Sequence, residues 1–107
     1  MTSFDDRRDA FEKKFAHDED LRFKATARRN KLLGLWAAGR LGKSGADAEA
    51  YAKTVVLADF EEAGDADVIR KVRQDLDAAG KSVDDAELAR VMSDLMGQAV
   101  EQIQAGR

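Results

Sequence analysis

Proline is absent from all 107 residues, so the chain lacks the residue that most strongly breaks a helix. Glycine does the punctuation instead. The breaks fall at Gly42-Lys43-Ser44-Gly45, Ala63-Gly64-Asp65 and Ala79-Gly80-Lys81-Ser82. Between them the sequence is rich in Ala, Leu, Lys, Arg and Glu, which are good helix formers. No segment sustains a period-two alternation, so no strand is expected. The expected fold class is all-α, a four-helix bundle preceded by an N-terminal amphipathic segment, helical or disordered.

The helix from Asp65 to Ala79 is the plainest. Ile69, Val72, Leu76 and Ala79 recur at steps of three and four, Asp65 is placed to cap the start, and Gly80 to end it. The last helix, about Val83 to Gln104, carries the stripe Leu88, Met92, Leu95, Met96, Ala99 and Ile103. Ser82 is its expected cap, and Asp84, Asp85 and Glu87 sit at the positive end of its dipole. A further helix, about Ala46 to Glu62, should bury Ala48, Tyr51, Ala52, Val55 and Val56.

The helix from about Asp18 to Leu41 has two apolar faces. Leu21, Ala25, Leu32, Trp36 and Gly39 share one, while Phe23, Ala27, Gly34, Ala38 and Leu41 share the other. A helix apolar on two sides is a central element or carries a second contact surface. Gly34, Ala37, Ala38 and Gly39 leave room for a close neighbour. Before it, in Ser3 to Ala16, Phe4, Phe11 and Phe15 fall within about 40° of one another at the helical period. Arg8 lies beside that seam, and the surroundings are charged: Asp5, Asp6, Arg7, Asp9, Glu12, Lys13 and Lys14. So short a helix is marginal alone in water and would be ordered by docking. The seam fits either this chain's own bundle or the groove of a partner, which reads helix anchors at such spacings.

Composition narrows the function. Charged residues make up 36% and hydrophobic ones 44%, a globular balance with a charged surface. With no Cys there is no disulfide, thiolate site or Cys nucleophile. No apolar run approaches the ~20 residues that span a bilayer, and the acidic N-terminus lacks a signal core. A cytoplasmic protein without membrane insertion is expected. The only histidine, His17, lies beside Asp18 and Glu19 with no spaced partner, so no acid–base site or metal site is expected. The acid groups Glu61-Glu62, Asp65-Ala66-Asp67 and Asp84-Asp85 miss the spacing of a calcium loop and suit helix ends. Gly42-Lys43-Ser44 resembles the tail of a phosphate loop, but Ala37 stands where the first glycine belongs and no strand precedes it. Enzymatic activity and a cofactor are therefore not expected.

The net charge of −3 hides a basic middle block. Residues 21–46 contain seven bases and no acid: Arg22, Lys24, Arg28, Arg29, Lys31, Arg40 and Lys43. They split into two rows, Arg22/Arg29/Arg40 and Lys24/Arg28/Lys31, whereas a groove-reading helix gathers its bases on one stripe. Their stems suit the apolar edges of a packed helix. Nucleic acid is not an expected partner.

Several runs resemble one family. Phe4-Asp5-Asp6-Arg7, Lys14-Phe15-Ala16-His17-Asp18, Ala27-Arg28-Arg29-Asn30-Lys31-Leu32-Leu33-Gly34 and Trp36-Ala37-Ala38 are similar to the zeta subunit family of bacterial F-type ATP synthase inhibitors. Ala50-Tyr51-Ala52, Val55-Val56, Asp59-Phe60 and Gly64-Asp65-Ala66-Asp67-Val68 continue the likeness, which covers roughly residues 4–76. Ala63 replaces a proline expected in its turn, and Arg7-Arg8-Asp9 carries an extra base. The resemblance implies an inhibitory segment, residues 1–17, and a helical bundle domain, residues 18–107. The segment would enter a catalytic subunit interface of the ATP synthase head and block rotation in the hydrolysis direction. Its partner-binding residues would be Phe4, Arg7, Arg8, Phe11, Lys13, Lys14 and Phe15. The protein would be a monomer when free, and peripheral to the membrane through the synthase. The alternative is a small regulatory or scaffold bundle that binds another protein.

Overall fold

The computed structural model describes residues 19–60 and 64–106. Within them the chain forms four helices: α1 (Glu19–Arg40), α2 (Gly45–Ala58), α3 (Ala66–Ala78) and α4 (Asp85–Gln104). The expected helix from Ser3 to Ala16 lies outside the described residues, as do Glu61, Glu62 and Ala63.

Glycine ends two of these helices as expected. Gly42 and Gly80 adopt left-handed φ values of 79° and 72°. At the first, Gly42 N donates to Gly39 O and Lys43 N to Ala38 O at 2.8 Å. At the second, Gly80 N donates to Asp77 O and Lys81 N to Leu76 O at 2.8 Å. These are paired Schellman bonds, and they satisfy carbonyls that a helix end leaves open.

The start signals are used differently. Asp84, not Ser82, caps α4: its Oδ1 accepts from Glu87 N at 2.7 Å. Ser82 Oγ is engaged elsewhere, donating to Asp77 Oδ1 at 2.6 Å. Asp65 occupies the N-cap position of α3 but makes no capping hydrogen bond, because its carboxylate is held by Arg29. Helix α2 stops at Ala58, short of Glu62. Its end tightens into three-residue bonds, from Asp59 N to Val56 O and from Phe60 N to Leu57 O.

Helix α1 is the central element. It packs against α2, α3 and α4, and α2 also packs on α3, while α3 and α4 nowhere bring their Cα atoms within 8 Å. The main core joins Leu33 and Ala37 of α1, Val55 of α2, Val68, Val72 and Leu76 of α3, and Leu88 and Met92 of α4. Val83 seals it from the preceding loop. Each Leu, Val or Met side chain among them contributes about 1.5–3 kcal/mol on burial. A smaller cluster joins Ala25 and Val100, with Leu21, Met96 and Ile103 around them. Contacts of Ala25 with Val100 at one end and Arg40 with Glu87 at the other make α1 and α4 antiparallel. At the Glu87 end the Arg40 guanidinium also lies 4.7 Å from the Trp36 ring centroid. Between α2 and α3, Tyr51 and Lys71 both donate to Asp75 Oδ2, at 2.7 and 2.9 Å. Burial raises the Tyr51 pKa, and acceptance of its proton by Asp75 raises it further.

The α1–α2 crossing is set by one glycine. An ideal Cβ at Gly34 would stand 2.6 Å from Ala52 Cα, closer than real Cβ atoms come. Of the small residues expected to admit a neighbour, Gly34, Ala37 and Ala38 are buried, but Gly39 faces open space. Gly34→Ala should therefore lower stability, because the overpacking cost of about 1–3 kcal/mol exceeds the ~1 kcal/mol gained in helix propensity. Gly39→Ala should instead raise stability by up to ~1 kcal/mol. Chemical denaturation of the two variants should move the midpoint in opposite directions.

Candidate partner-binding site

The segment singled out by its sequence lies outside the described residues: Phe4, Arg7, Arg8, Phe11, Lys13, Lys14 and Phe15, together with His17. The described chain enters directly into α1, whose first turn is acidic at Glu19 and Asp20. Asp20 and Lys24 form an exposed ion pair at 3.5 Å. Such a pair stabilises a helix by only ~0.3–0.5 kcal/mol.

What holds the first half of α1 is Arg29. It is 5% exposed, and its guanidinium meets Asp65 bidentately, with NH2 to Oδ1 at 2.7 Å and NH1 to Oδ2 at 3.1 Å. Its Nε and NH2 also donate to Asn30 Oδ1, at 3.1 and 2.8 Å. This fork ties α1 to the connection between α2 and α3. Sequence reasoning placed Arg29 in a row at the edge of a packed helix and missed its burial. Helical spacing carried no signal for it, since Arg29 stands among Arg28, Asn30 and Lys31 in a polar run.

Three carboxylates surround this guanidinium environment. The hydrogen bonds from Arg29 hold the Asp65 carboxyl below its ordinary pKa, against the opposing effect of burial. Asp59 moves the other way, raised by burial and then by the charges of Asp67 and Asp65. Asn30 offers Asp59 partial relief, but Asn30 Nδ2 and Asp59 Oδ1 are buried and neither reaches full hydrogen-bond geometry among the described residues. Asp67, 2% exposed, accepts from Val68 N at 2.9 Å. Among the described residues no group of three or more His, Cys, Asp or Glu is arranged to hold a metal.

The other basic residues are distributed around α1. Arg28 NH1 donates to Gln102 Oε1 at 2.9 Å, and Arg40 NH2 to Glu87 Oε1 at 2.8 Å. The Gly42–Gly45 turn is a helix end followed by the start of α2, a geometry with no phosphate cradle in its course. Between α3 and α4 a cleft of about 530 Å³ opens, floored by Ala25, Met92, Met96 and Val100, with Arg22 and Asp65 on its lining.

On the opposite side, the second apolar face of α1 divides. Gly34 and Ala38 turn inward, while Phe23 stays 59% exposed. Its ring centroid lies 6.4 Å from that of Phe60, 66% exposed, and Leu57 of α2 is 64% exposed. Leu57 and Phe60 escaped sequence reasoning because α2 was expected to continue through them, with its stripe on Ala52, Val55 and Val56.

The described residues thus form an all-α bundle built on a central ion-paired helix, with large apolar side chains left at its surface. The chain belongs to the ATPase inhibitor subunit zeta family, whose model matches residues 1–102. It is also similar to a protein solved in solution by NMR, with 52% identity and a TM-score of 0.72, over 81% of this chain and 99% of that one. No curated protein matches it. An ATPase inhibitor family is one of regulatory proteins, and among the described residues no helix is long and apolar enough to cross a membrane.

Replacing Asp65 with Ala would leave the Arg29 guanidinium buried without its carboxylate. The expected loss is about 2 kcal/mol, less than for a fully buried pair because the Asp65 side chain is 44% exposed. Because Asp65 is depressed in the folded state, its contribution is present above the unfolded carboxylate pKa of about 3.9 and disappears as pH falls through the folded value. Asp59 is raised, so its penalty grows as pH climbs from that unfolded value through the folded one. Asp59→Asn should therefore raise Tm at neutral pH, and the gain should vanish in acid. Melting curves of the two variants from pH 3 to 7 should show these opposite trends.

Proposed function

We propose that the protein inhibits ATP hydrolysis by the bacterial F-type ATP synthase. Residues 1–17 act as the inhibitory segment, inserted at a catalytic subunit interface of the head, where they block rotation in the hydrolysis direction. Residues 18–107 form the bundle that carries it. The observation behind this reading is that the inhibitor family's model begins at residue 1 and so includes the segment with the Phe seam.

The chemistry of the segment suits the role. Phe4, Phe11 and Phe15 are anchors that a groove can bury, and Arg7, Arg8, Lys13 and Lys14 can pair with acids beside that groove. A short helix that is marginal alone is ordered as it binds, which lowers affinity but allows release. The protein needs no cofactor for this and is held at the membrane only through the synthase.

The test is ATP hydrolysis by the purified cognate head. Phe15→Ala should raise the inhibitory concentration about 30-fold, corresponding to a hot-spot loss of ~2 kcal/mol. The triple variant F4A/F11A/F15A should abolish inhibition while its helical content is retained. Undiminished inhibition by the triple variant would sink the proposed role of the segment.

A further inference from the structure

We propose that the cleft between α3 and α4 receives the chain's own Phe seam: in the free protein residues 4–15 lie in it as a helix and close the bundle. The ATPase head must then draw the segment out before it can be inhibited. That second step rests on the function proposed above, whereas the docking itself does not.

The cleft is a gap in the packing. Helix α1 packs on every other helix, yet α3 and α4 nowhere bring their Cα atoms within 8 Å, so the bundle stays open along that side. The opening is about 530 Å³. Protein interiors leave few voids larger than a water molecule, so a gap of this size between two helices has room for the side chains of a further element. Its floor is apolar. Met92, Met96 and Val100 follow at steps of four along α4, with Ala25 of α1 and Ile69 of α3 beside them. Ala89 and Ser93, one turn apart and both exposed, form its rim on α4. Methionine side chains adapt to the shape of an aromatic ring and make favourable sulfur–ring contacts.

Length and connection name the occupant. Along α4 the cleft runs from Ala89 to Val100, eleven residue steps or about 17 Å at the helical rise. Phe4 to Phe15 is also eleven steps, and at the helical period the three rings share one face. The chain also reaches α1 at the matching end of the cleft. Helix α1 starts at Glu19, and Arg22 and Ala25 soon after it line the cleft, Ala25 against Val100. Because α1 and α4 run antiparallel, Ala89 lies at the far end. Ala16, His17 and Asp18 separate Phe15 from Glu19, and two to five residues are enough to join antiparallel helices. Asp18 directly precedes α1, at the position where Asp caps a helix and the chain before it turns away. A reversal there sets Phe15 near Val100 and Phe4 toward Ala89, with the charged face of the segment outward. So short a tether gives the docking a high effective concentration, which any other binder of the seam must overcome.

The chain has no cysteine, and its methionines are Met1, Met92 and Met96, so a nitroxide on Thr2→Cys can be read by NMR at the two methyl groups of the cleft. In the full-length chain the label should broaden the Met92 and Met96 methyl signals, and F4A/F11A/F15A should restore them. Ala89→Glu/Ser93→Glu changes exposed positions and so keeps the fold, which circular dichroism checks. By placing charge on the rim it should restore the signals too. Unbroadened signals in the labelled chain, or broadening that survives the rim variant, would overturn the docking. So would broadening of equal size when the nitroxide and the observed methyls are on different chains, since the occupant would then be a second copy. In the hydrolysis assay the rim variant should inhibit at a concentration at least about twofold lower, the factor by which occlusion of half the molecules weakens binding. An unchanged inhibitory concentration would overturn the competition with the head and leave the docking in place. A wild-type chain that inhibits nothing would defeat the function proposed above, while the methyl signals still decide the docking.

Discussion

The contact between Gly34 and Ala52 governs how close α1 and α2 can lie, and much of the molecule follows from it. A side chain at residue 34 would collide with the Ala52 backbone, so only hydrogen permits the observed approach. With the helices this close, Leu33 and Ala37 of α1 reach Val55 of α2 in the core. On the outer side, the same approach sets Phe23 against Phe60. A wider crossing would loosen the interior and separate the exposed aromatic pair together.

The Arg29 fork is a second constraint, different in kind. Apolar burial is non-directional and would tolerate some sliding of α1 over its neighbours. A bidentate guanidinium does not, since both hydrogen bonds to Asp65 demand one register. Relative to an apolar replacement it adds little net stability, because desolvating the ions offsets their attraction. Its value in positioning is clearer: it joins α1 to the start of α3 at a place where α3 and α4 do not close the bundle. The surrounding carboxylates make this an electrostatically tense corner, with Asp59 resisting ionisation while Asp65 accepts it.

The helices and their ends were largely legible in the sequence, because local rules decide them. Gly42 and Gly80 act as helix stops through backbone geometry that few other residues adopt. The two-faced pattern of α1 announced a central helix, and α1 does pack on all three others. The two missed caps share one cause: a side chain placed to cap a helix was claimed by another side chain. Asp65 could cap α3 but is taken by Arg29, thirty-six residues earlier. Ser82 could cap α4 but bonds Asp77, and Asp84 serves instead. Arg29 resembled the other bases of its row because helical spacing describes direction and is blind to depth. The exposed apolar side chains were half legible. Phe23 stood on an apolar face of α1, but Leu57 and Phe60 become its neighbours only once α2 ends at Ala58 and the helices cross.

The same architecture bears on how a short segment could act on a large enzyme. A marginal helix would spend part of its binding energy on becoming ordered, and the seven contact residues proposed for it would leave little surplus. Helix α1, which follows residues 1–18 in sequence, is clamped by Arg29 on one side and by the Ala25–Val100 cluster on the other. On the proposed reading the bundle's packing serves function as well as folding, since the Arg29 fork and the close α1–α2 crossing hold the helix that follows the segment in sequence.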